Sequence, residues 1–361
     1  MGIGIHGACV IDDKLWFSLS QANGLCTFDL KTECFEYVSR IPKEDFQKEF
    51  LYSDIKLWGD MLVMTPMNAQ NIALYNLKTG IFDMVPFDAY IVKHKLDYPG
   101  YGSFYSSKVV KDSAYFIPYY FPAIVKLDLR TERLTYLENW INTFMDEYDR
   151  NYIFFREDIV SDADDFIFVS LFYNAIMKCN TSDMSISIIE KNRAGRNEGY
   201  LTIIKVNNMI VVTRPKERAI KIMDNNFNIV NSFCYESYSK YHSDLDFIGS
   251  IQWGKCIYLV PYACDVLIRI DNSLKEIELF YSWNEPPFIT RFWIWNNCLY
   301  CVSANGIMVF EEDGNLTKII NAKGNDEAFW SKALNDNYEY IEIIHETENI
   351  GLDNLIDVLR N

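Results

Sequence analysis

The feature that most constrains this chain is a turn that recurs seven times. Apolar stretches end on Asp29, Asn76, Asp128, Asn180, Asp224, Asp271 and Glu311, followed by the polar turns DLKT, NLKTG, DLRT, NTSD, DNNF, DNSL and EEDG. The successive intervals are 47, 52, 52, 44, 47 and 40 residues. A strand-ending Asp or Asn can accept hydrogen bonds from backbone N–H groups two residues on, which gives the pattern a mechanical reason. A second marker keeps the same beat. Two-residue turns at Asp12-Asp13, Gly59-Asp60, Lys111-Asp112, Ala163-Asp164, Asn207-Asn208, Gly254-Lys255 and Asn296-Asn297 each precede a short apolar run. Two markers on one period in this range describe a series of like β units that bury their faces against each other.

Residues 253–271 (WGKCIYLVPYACDVLIRID) show the unit: a strand end, a tight turn, a buried run, a Pro-led loop and a second strand. Four strands per repeat place the repeats at about 7–40, 52–86, 103–137, 156–189, 200–233, 246–280 and 288–320. The second strands (LWFS, MLVM, AYFI, FIFV, MIVV, CIYLV, CLYCV) are apolar without alternation, so both of their faces are covered. The first strands (YSDIKLW, GSIQWG, TRFWIW) are mixed, as expected where some residues line a central channel. Trp58, Trp253 and Trp295 end first strands and are expected to be buried between units. A composition 49% apolar and 16% aromatic suits extended β-structure around a sizeable core.

In residues 14–32 and in the LYNLKTG and VKLDLRT pieces, the chain resembles the broad β-propeller superfamily. It lacks the Gly-Gly doublet of kelch repeats and the Gly-His and Trp-Asp marks of WD40 repeats, so no subfamily follows. The resemblance, with seven repeats, implies an all-β fold: a seven-bladed β-propeller of four-stranded antiparallel blades over residues 1–322. Residues 323–361 break the pattern. Segments 326–334 and 351–359 read as short helices around a possible strand at 340–344, and Leu352, Leu355, Ile356 and Leu359 share one apolar face. This appendage is expected to pack on the propeller and seal the gap between first and last blades, the alternative being a partner-binding helix.

A formal net charge of −16 repels phosphate backbones and anionic bilayers, so neither nucleic acid nor a membrane is an expected partner. The first residues show no secretory signal and no apolar run approaches a membrane span, so a cytoplasmic location is expected. Nine cysteines, an odd number, fall mostly inside strands and read as small buried hydrophobes. Cys298 and Cys301 spell CxxC, but residues three apart on a strand face opposite sides of the sheet, so no metal is expected there. His6, His94, His242 and His345 are dispersed, and neither a G-x-S-x-G elbow nor a phosphate-binding Gly-rich loop occurs. No cofactor is expected. Acidic runs at Asp146-Glu147-Tyr148-Asp149 and Asp162-Ala163-Asp164-Asp165 read as a solvated link and a solvated turn rather than calcium sites.

Chain geometry puts the loops between second and third strands on the same face as the blade-to-blade links. These are the long connections. The loops hold Gln21, Asn23, Asn68, Asn71, Tyr119, Tyr120, Phe121, Phe172, Tyr173, Asn174, Arg214, Lys216, Tyr262, Asp265 and Asn305. Links 87–101 and 139–154 hold Tyr98, Tyr101, Trp140 and Tyr148. The opposite face has only short polar turns. Rings beside amides suit stacking on sugars or clasping an extended peptide, which nominates Tyr119, Tyr120, Phe172, Tyr173, Tyr262 and Trp140. The alternative is that these rings plug the channel and staple links to blades. Lys191, Arg193 and Arg196 in one link, with Arg214, Lys216 and Arg218 in a neighbouring loop, form a candidate site for an anionic ligand group. The alternative there is a surface patch neutralised by Glu190, Glu198 and Glu217. The expected function is a non-catalytic binding or scaffold module for a protein segment or glycan. The rival is a lyase or hydrolase acting on a saccharide or anionic small molecule at the channel mouth, which requires residues such as Glu157, Asp158, Thr290 and Arg291 to converge.

Overall fold

Two-residue hairpins between twisted strands use primed turns, which need positive φ at the first central residue. In the computed structural model, which describes residues 3–45, 48–87, 102–138, 159–170, 174–192, 199–321 and 327–336, all seven such positions comply. Asp12, Gly59, Lys111, Ala163, Asn207, Gly254 and Asn296 have φ between 47° and 58°. Asn207-Asn208 and Asn296-Asn297 are positive at both positions, as a type I′ turn requires. The strand-ending side chains act as the sequence implies in six repeats: Asp29, for example, accepts from the N–H groups of Lys31 and Thr32 at 3.0 and 2.8 Å. The seventh differs. Glu311 is one methylene too long for an Asx turn, and Asp313 instead accepts from the Asn315 N–H at 3.0 Å.

Each pair of turns joins the first strand to the second and the third to the fourth in one four-stranded antiparallel sheet whose strands follow sequence order. The seven sheets span 5–39, 52–86, 104–137, 159–192, 203–234, 247–282 and 291–320. Their innermost strands touch in cyclic order, the first blade's against the seventh's. The fold is a seven-bladed β-propeller. One boundary moves: Lys191 lies in the outer strand of the fourth blade, Ile186–Asn192, and not in the link after it, because Asn174 pairs with Asn192 and lengthens that strand.

The second strands carry the core. Met61–Pro66, Ser113–Pro118, Cys256–Pro261 and Cys298–Ser303 are buried at every position after the first. Within the last, Cys301 is buried toward the sixth blade while Cys298 packs toward the first, on opposite faces of one strand. Trp253 is 1% exposed, its ring lies against Tyr258 and Phe280, and its Nε1–H donates to the Asn297 carbonyl of the seventh blade at 3.3 Å. Trp58 and Trp295, at the same turn-bearing end, are only half-buried.

Among the described residues no strand is shared between the first and last blades, and side chains close the ring. Ile5, Phe17 and Tyr37 of the first blade form one buried cluster with Trp293, Tyr300 and Ile307 of the seventh. After the seventh blade the chain forms helix α1, Glu327–Asp336, which packs on the outer strand of the first blade. Its Phe329 and Ala333 are buried in that same cluster, with the Phe329 ring edge-on to Tyr37 at 6.0 Å. An ion pair between Lys318 and Glu33 ties the two outer strands outside it. The apolar face at Leu352, Leu355, Ile356 and Leu359 lies outside the described residues. Among those described, no helix is long and apolar enough to cross a membrane.

Two substitutions weigh these contacts. Trp253→Ala should lower unfolding free energy by about 3–5 kcal/mol in urea titration. Phe329→Ala should cost about 3 kcal/mol and speed hydrogen exchange in the first blade's outer strand, Phe35–Ser39. An unmoved midpoint for Phe329→Ala would leave α1 out of ring closure.

Candidate functional site

The face that carries the links is built by one repeated hydrogen bond. A link N–H donates to a carbonyl at the end of the preceding blade's second strand or just beyond it: Phe50 to Ser20 at 2.9 Å, Ser103 to Met67 at 2.7 Å, Tyr200 to Ser170 at 2.8 Å and Phe288 to Tyr262 at 3.0 Å. Polar side chains add to this. Asn23 Nδ2 donates to the carbonyls of Ile41 and Glu44, and its Oδ1 accepts from the Ile41 N–H. The buried Glu44 carboxylate accepts from Gln70 and Asn71, and Asn68 Oδ1 accepts from the Gly102 N–H at 2.9 Å. Ser239 and the Lys240 N–H both donate to the buried Asp265. The amides of Asn23, Asn68 and Asn71 are therefore fasteners of links.

Between the fifth and sixth blades the fastener is ionic. Asp246, fully buried, accepts from the Ser243 N–H at 2.6 Å, the Tyr235 hydroxyl at 2.9 Å and Arg218 Nη1 at 3.1 Å, with His242 Nδ1 at 3.6 Å. Burial and the Asp246 charge push the Tyr235 hydroxyl far above its ordinary pKa. Arg218 also donates to the carbonyls of Pro215 and Ser243. It points inward, away from any ligand role.

The proposed ligand residues are placed as follows. Tyr119 and Tyr120 are half-buried and edge-on to each other at 4.8 Å, with Tyr105 at 5.3 Å from Tyr119. Tyr262 is half-buried and edge-on to Phe288 at 5.7 Å. Arg214 lies 5.3 Å over the Tyr200 ring and pairs with Glu217 at 2.6 Å, whose second oxygen holds Lys221 at 2.6 Å. Lys216 is exposed in a short 3₁₀ turn, Pro215–Glu217. Phe172, Tyr173, Trp140, Arg193 and Arg196 lie outside the described residues, as do Tyr98, Tyr101, Tyr148, His94, His345, Glu157, Asp158 and the acidic run at 146–149. The second acidic run is ion-paired rather than merely solvated: Asp162 holds Lys178 and Lys205 at 2.7 Å each, and Asp164 pairs with Lys111.

Among the described residues, the exposed aromatic ones are three that the sequence did not single out. Phe50, Tyr241 and Phe288 are 42%, 40% and 50% exposed, and each lies in a blade link on this face. Phe50 and Phe288 have φ of 52° and 48°, a conformation costly for a bulky side chain. Gly102 occupies the place in the next link that Phe50 holds in its own, two residues before the inner strand, at φ 65°. The link geometry is thus met by glycine where no ring is present. Only the Pro-Pro pair before Phe288 hinted at this in the sequence.

At the centre of the face sits Arg291, first residue of the seventh blade's inner strand. Its Nε donates to the His6 carbonyl at 2.9 Å, Nη2 to the Ser53 carbonyl at 2.7 Å and Nη1 to the Thr290 carbonyl at 2.5 Å, and the guanidinium lies 6.0 Å over the Tyr105 ring. It joins the seventh, first and second blades and lies on the third. Arg291 and Thr290 thus meet over backbone carbonyls, and no acid–base pair forms between them. His6 Nδ1 lies 2.8 Å from the Tyr52 carbonyl, and its ring stands edge-on to Phe50 at 5.0 Å. Deeper in the channel, Asp54 pairs with Lys56 at 3.0 Å and accepts from the Ser107 N–H at 3.0 Å. Burial, and then Lys56, hold the Lys108 ammonium below its ordinary pKa. Toward the turn-bearing end, the inner strands of the fourth to sixth blades line an open cavity of about 610 Å³. Among the described residues, no group of three or more His, Cys, Asp or Glu side chains could hold a metal ion.

Burial, then the nearby Arg291 charge, lower the His6 pKa to about 3. The unfolded chain therefore binds a proton that the native imidazole refuses between about pH 6.5 and 3, and stability falls as pH falls through that window. A His6→Gln variant, whose amide can still donate to Tyr52, should lose less, by on the order of a few kcal/mol between pH 7 and 4 in urea titrations. Parallel curves for the two proteins would overturn this.

No protein-family model matches the sequence, and no curated protein matches it. Solved structures do. A streptogramin B lyase is 14% identical, with 84% of this chain and 91% of that one covered at a TM-score of 0.62. A catalytically inactive virginiamycin B lyase from Staphylococcus aureus with quinupristin is also 14% identical, covering 84% and 92% at 0.63. YCF48 bound to D1 peptide is 12% identical, covering 85% and 93% at 0.57. At such identities the likeness shows the fold alone, the seven-bladed β-propeller that the strand order of the chain itself displays.

Proposed function

We propose that this protein is a non-catalytic binding module that holds an extended segment of a partner protein across the face of the links. The observation that carries the reading is the placement of Phe50, Tyr241 and Phe288. Every aromatic residue exposed among the described ones lies in a link of that face, and two are kept at positive φ. An exposed ring gains nothing from burial, and a left-handed backbone at a non-glycine residue costs about 1–2 kcal/mol. Such a cost is retained where the ring has work to do. Half-buried Tyr119, Tyr120 and Tyr262 flank the exposed rings and offer hydroxyls beside apolar surface. Rings spread around a channel mouth suit spaced apolar side chains along an extended peptide. The net charge of −16 favours a segment that is neutral or basic. Among proteins of this fold, YCF48 is bound to a peptide and others are lyases, so the fold by itself does not choose. The commitment of Arg291 to carbonyls weighs against a site at the mouth that needs it for chemistry.

The test replaces the rings without harming the fold. Phe50→Gly with Phe288→Gly should leave the melting temperature unchanged or slightly higher, since glycine relieves the backbone. The same variant should lose the partners that the wild-type chain captures from native lysate, each captured partner being confirmed by titrating its isolated peptide. Retention of those peptides at wild-type affinity would overturn the reading. Binding to a glycan array with no peptide bound would replace it by the saccharide alternative.

A further inference from the structure

The seven two-residue hairpins fix the register of the inner strands from the turn, so residues two positions before each turn form one layer around the channel. That layer is Val10, Leu57, Val109, Ser161, Lys205, Gln252 and Ile294. It divides in two. The seventh, first, second and third blades give it apolar side chains, and the fourth, fifth and sixth give it a hydroxyl, an ammonium and an amide. The cavity of about 610 Å³ lies along the polar arc, where Ile204 and Ile251 supply an apolar wall between Ser161, Lys205, Ser250 and Gln252. Its size falls within the range of small-molecule sites, about 300–1,000 Å³.

Two features of the lining select the ligand. Ser161 and Gln252 are exposed to the cavity, and neither side chain hydrogen-bonds another described residue. The charges, by contrast, are already matched: Lys205 pairs with Asp162, which also holds Lys178, and Lys178 reaches Asp165 at 3.3 Å. Two lysines and two aspartates leave no net charge to attract an ion. The free groups are those that pair with hydroxyls, beside aliphatic surface that suits a C–H face. We infer that this end of the channel binds a neutral, hydroxylated small molecule of monosaccharide size. It lies between inner strands toward the turn-bearing end, apart from the aromatic rings of the link face, and does not depend on what that face binds.

The test uses the full chain and a panel of neutral probes: the methyl glycosides of glucose, galactose, mannose and xylose, and myo-inositol, with gluconate as the charged comparator. Saturation-transfer NMR should detect at least one neutral probe, binding about tenfold or more tightly than gluconate. Removing these two groups in Ser161→Ala with Gln252→Leu should weaken that probe about tenfold or more, the loss of two neutral hydrogen bonds. The Phe50→Gly, Phe288→Gly variant should bind it as the wild type does. Silence from every neutral probe overturns the inference, as does equal affinity in the Ser161, Gln252 variant or a preference for gluconate. Loss of the probe in the Phe50, Phe288 variant alone would place binding on the link face instead and would also overturn it.

Discussion

The seam between the first and seventh blades is the contact on which the ring depends. Each blade is made of one contiguous piece of chain, so among the described residues only side chains and one helix hold the ends of the series together. Joining ends separated by roughly 300 residues costs an entropy that grows only as the logarithm of length, about 5 kcal/mol on a flexible-chain estimate. Each buried Phe, Ile or Leu at the seam contributes about 1.5–3 kcal/mol. The seam cluster holds Ile5, Phe17, Trp293, Ile307 and Phe329 among others, so burial alone outweighs closure. Arg291 works at the other level, on specificity. Its guanidinium fits carbonyls of the first and second blades only when the seventh stands in its place. The apolar seam makes the ring stable, and the arginine sets its register.

What was legible in the sequence was whatever the backbone dictates locally. Asp12, Lys111 and Ala163 have nothing in common as side chains, yet each sits at the first position of a two-residue turn with φ near 53°, and the spacing revealed them. The second strands were legible because burial on both faces removes polar alternation. Less legible were features that depend on partners remote in sequence. Nothing in the residues around Arg291 tells that its donors reach His6 and Ser53, 285 and 238 positions away. Asn23, Asn68 and Asn71 looked like ligand groups because amides in long loops often are, but the links they fasten are placed by the neighbouring blade. The exposed rings escaped for a related reason: positive φ at a phenylalanine has no compositional signature.

The two faces of the disc solve different problems, and the difference is in how their polar groups are satisfied. On the turn face several ion pairs lie within one blade. Lys31 pairs with Asp13, Lys78 with Asp60 and Arg130 with Asp112, each joining the two turns of a single blade. Asp29, Asp128 and Asp224 take hydrogen bonds from their own turns, which hold those carboxyls below the usual range. Exposed pairs of this kind contribute little stability. Among the described residues, the turns of this face carry no exposed aromatic ring.

On the link face satisfaction runs between blades. Four links, at Phe50, Ser103, Tyr200 and Phe288, borrow a carbonyl from the blade before them, and buried Glu44, Asp246 and Asp265 draw donors from neighbouring segments. A link held at so many points does not have to bury its own aromatic side chain to stay in place. That frees Phe50 and Phe288 to face outward on a backbone that remains fixed, so a partner meeting them orders few new rotors and loses little entropy on binding. The channel differs, because each inner strand is the edge of its sheet and turns backbone groups as well as side chains toward the centre. On the readings proposed above, recognition on the face rests on rigid rings, and recognition inside the ring on groups that no described residue pairs.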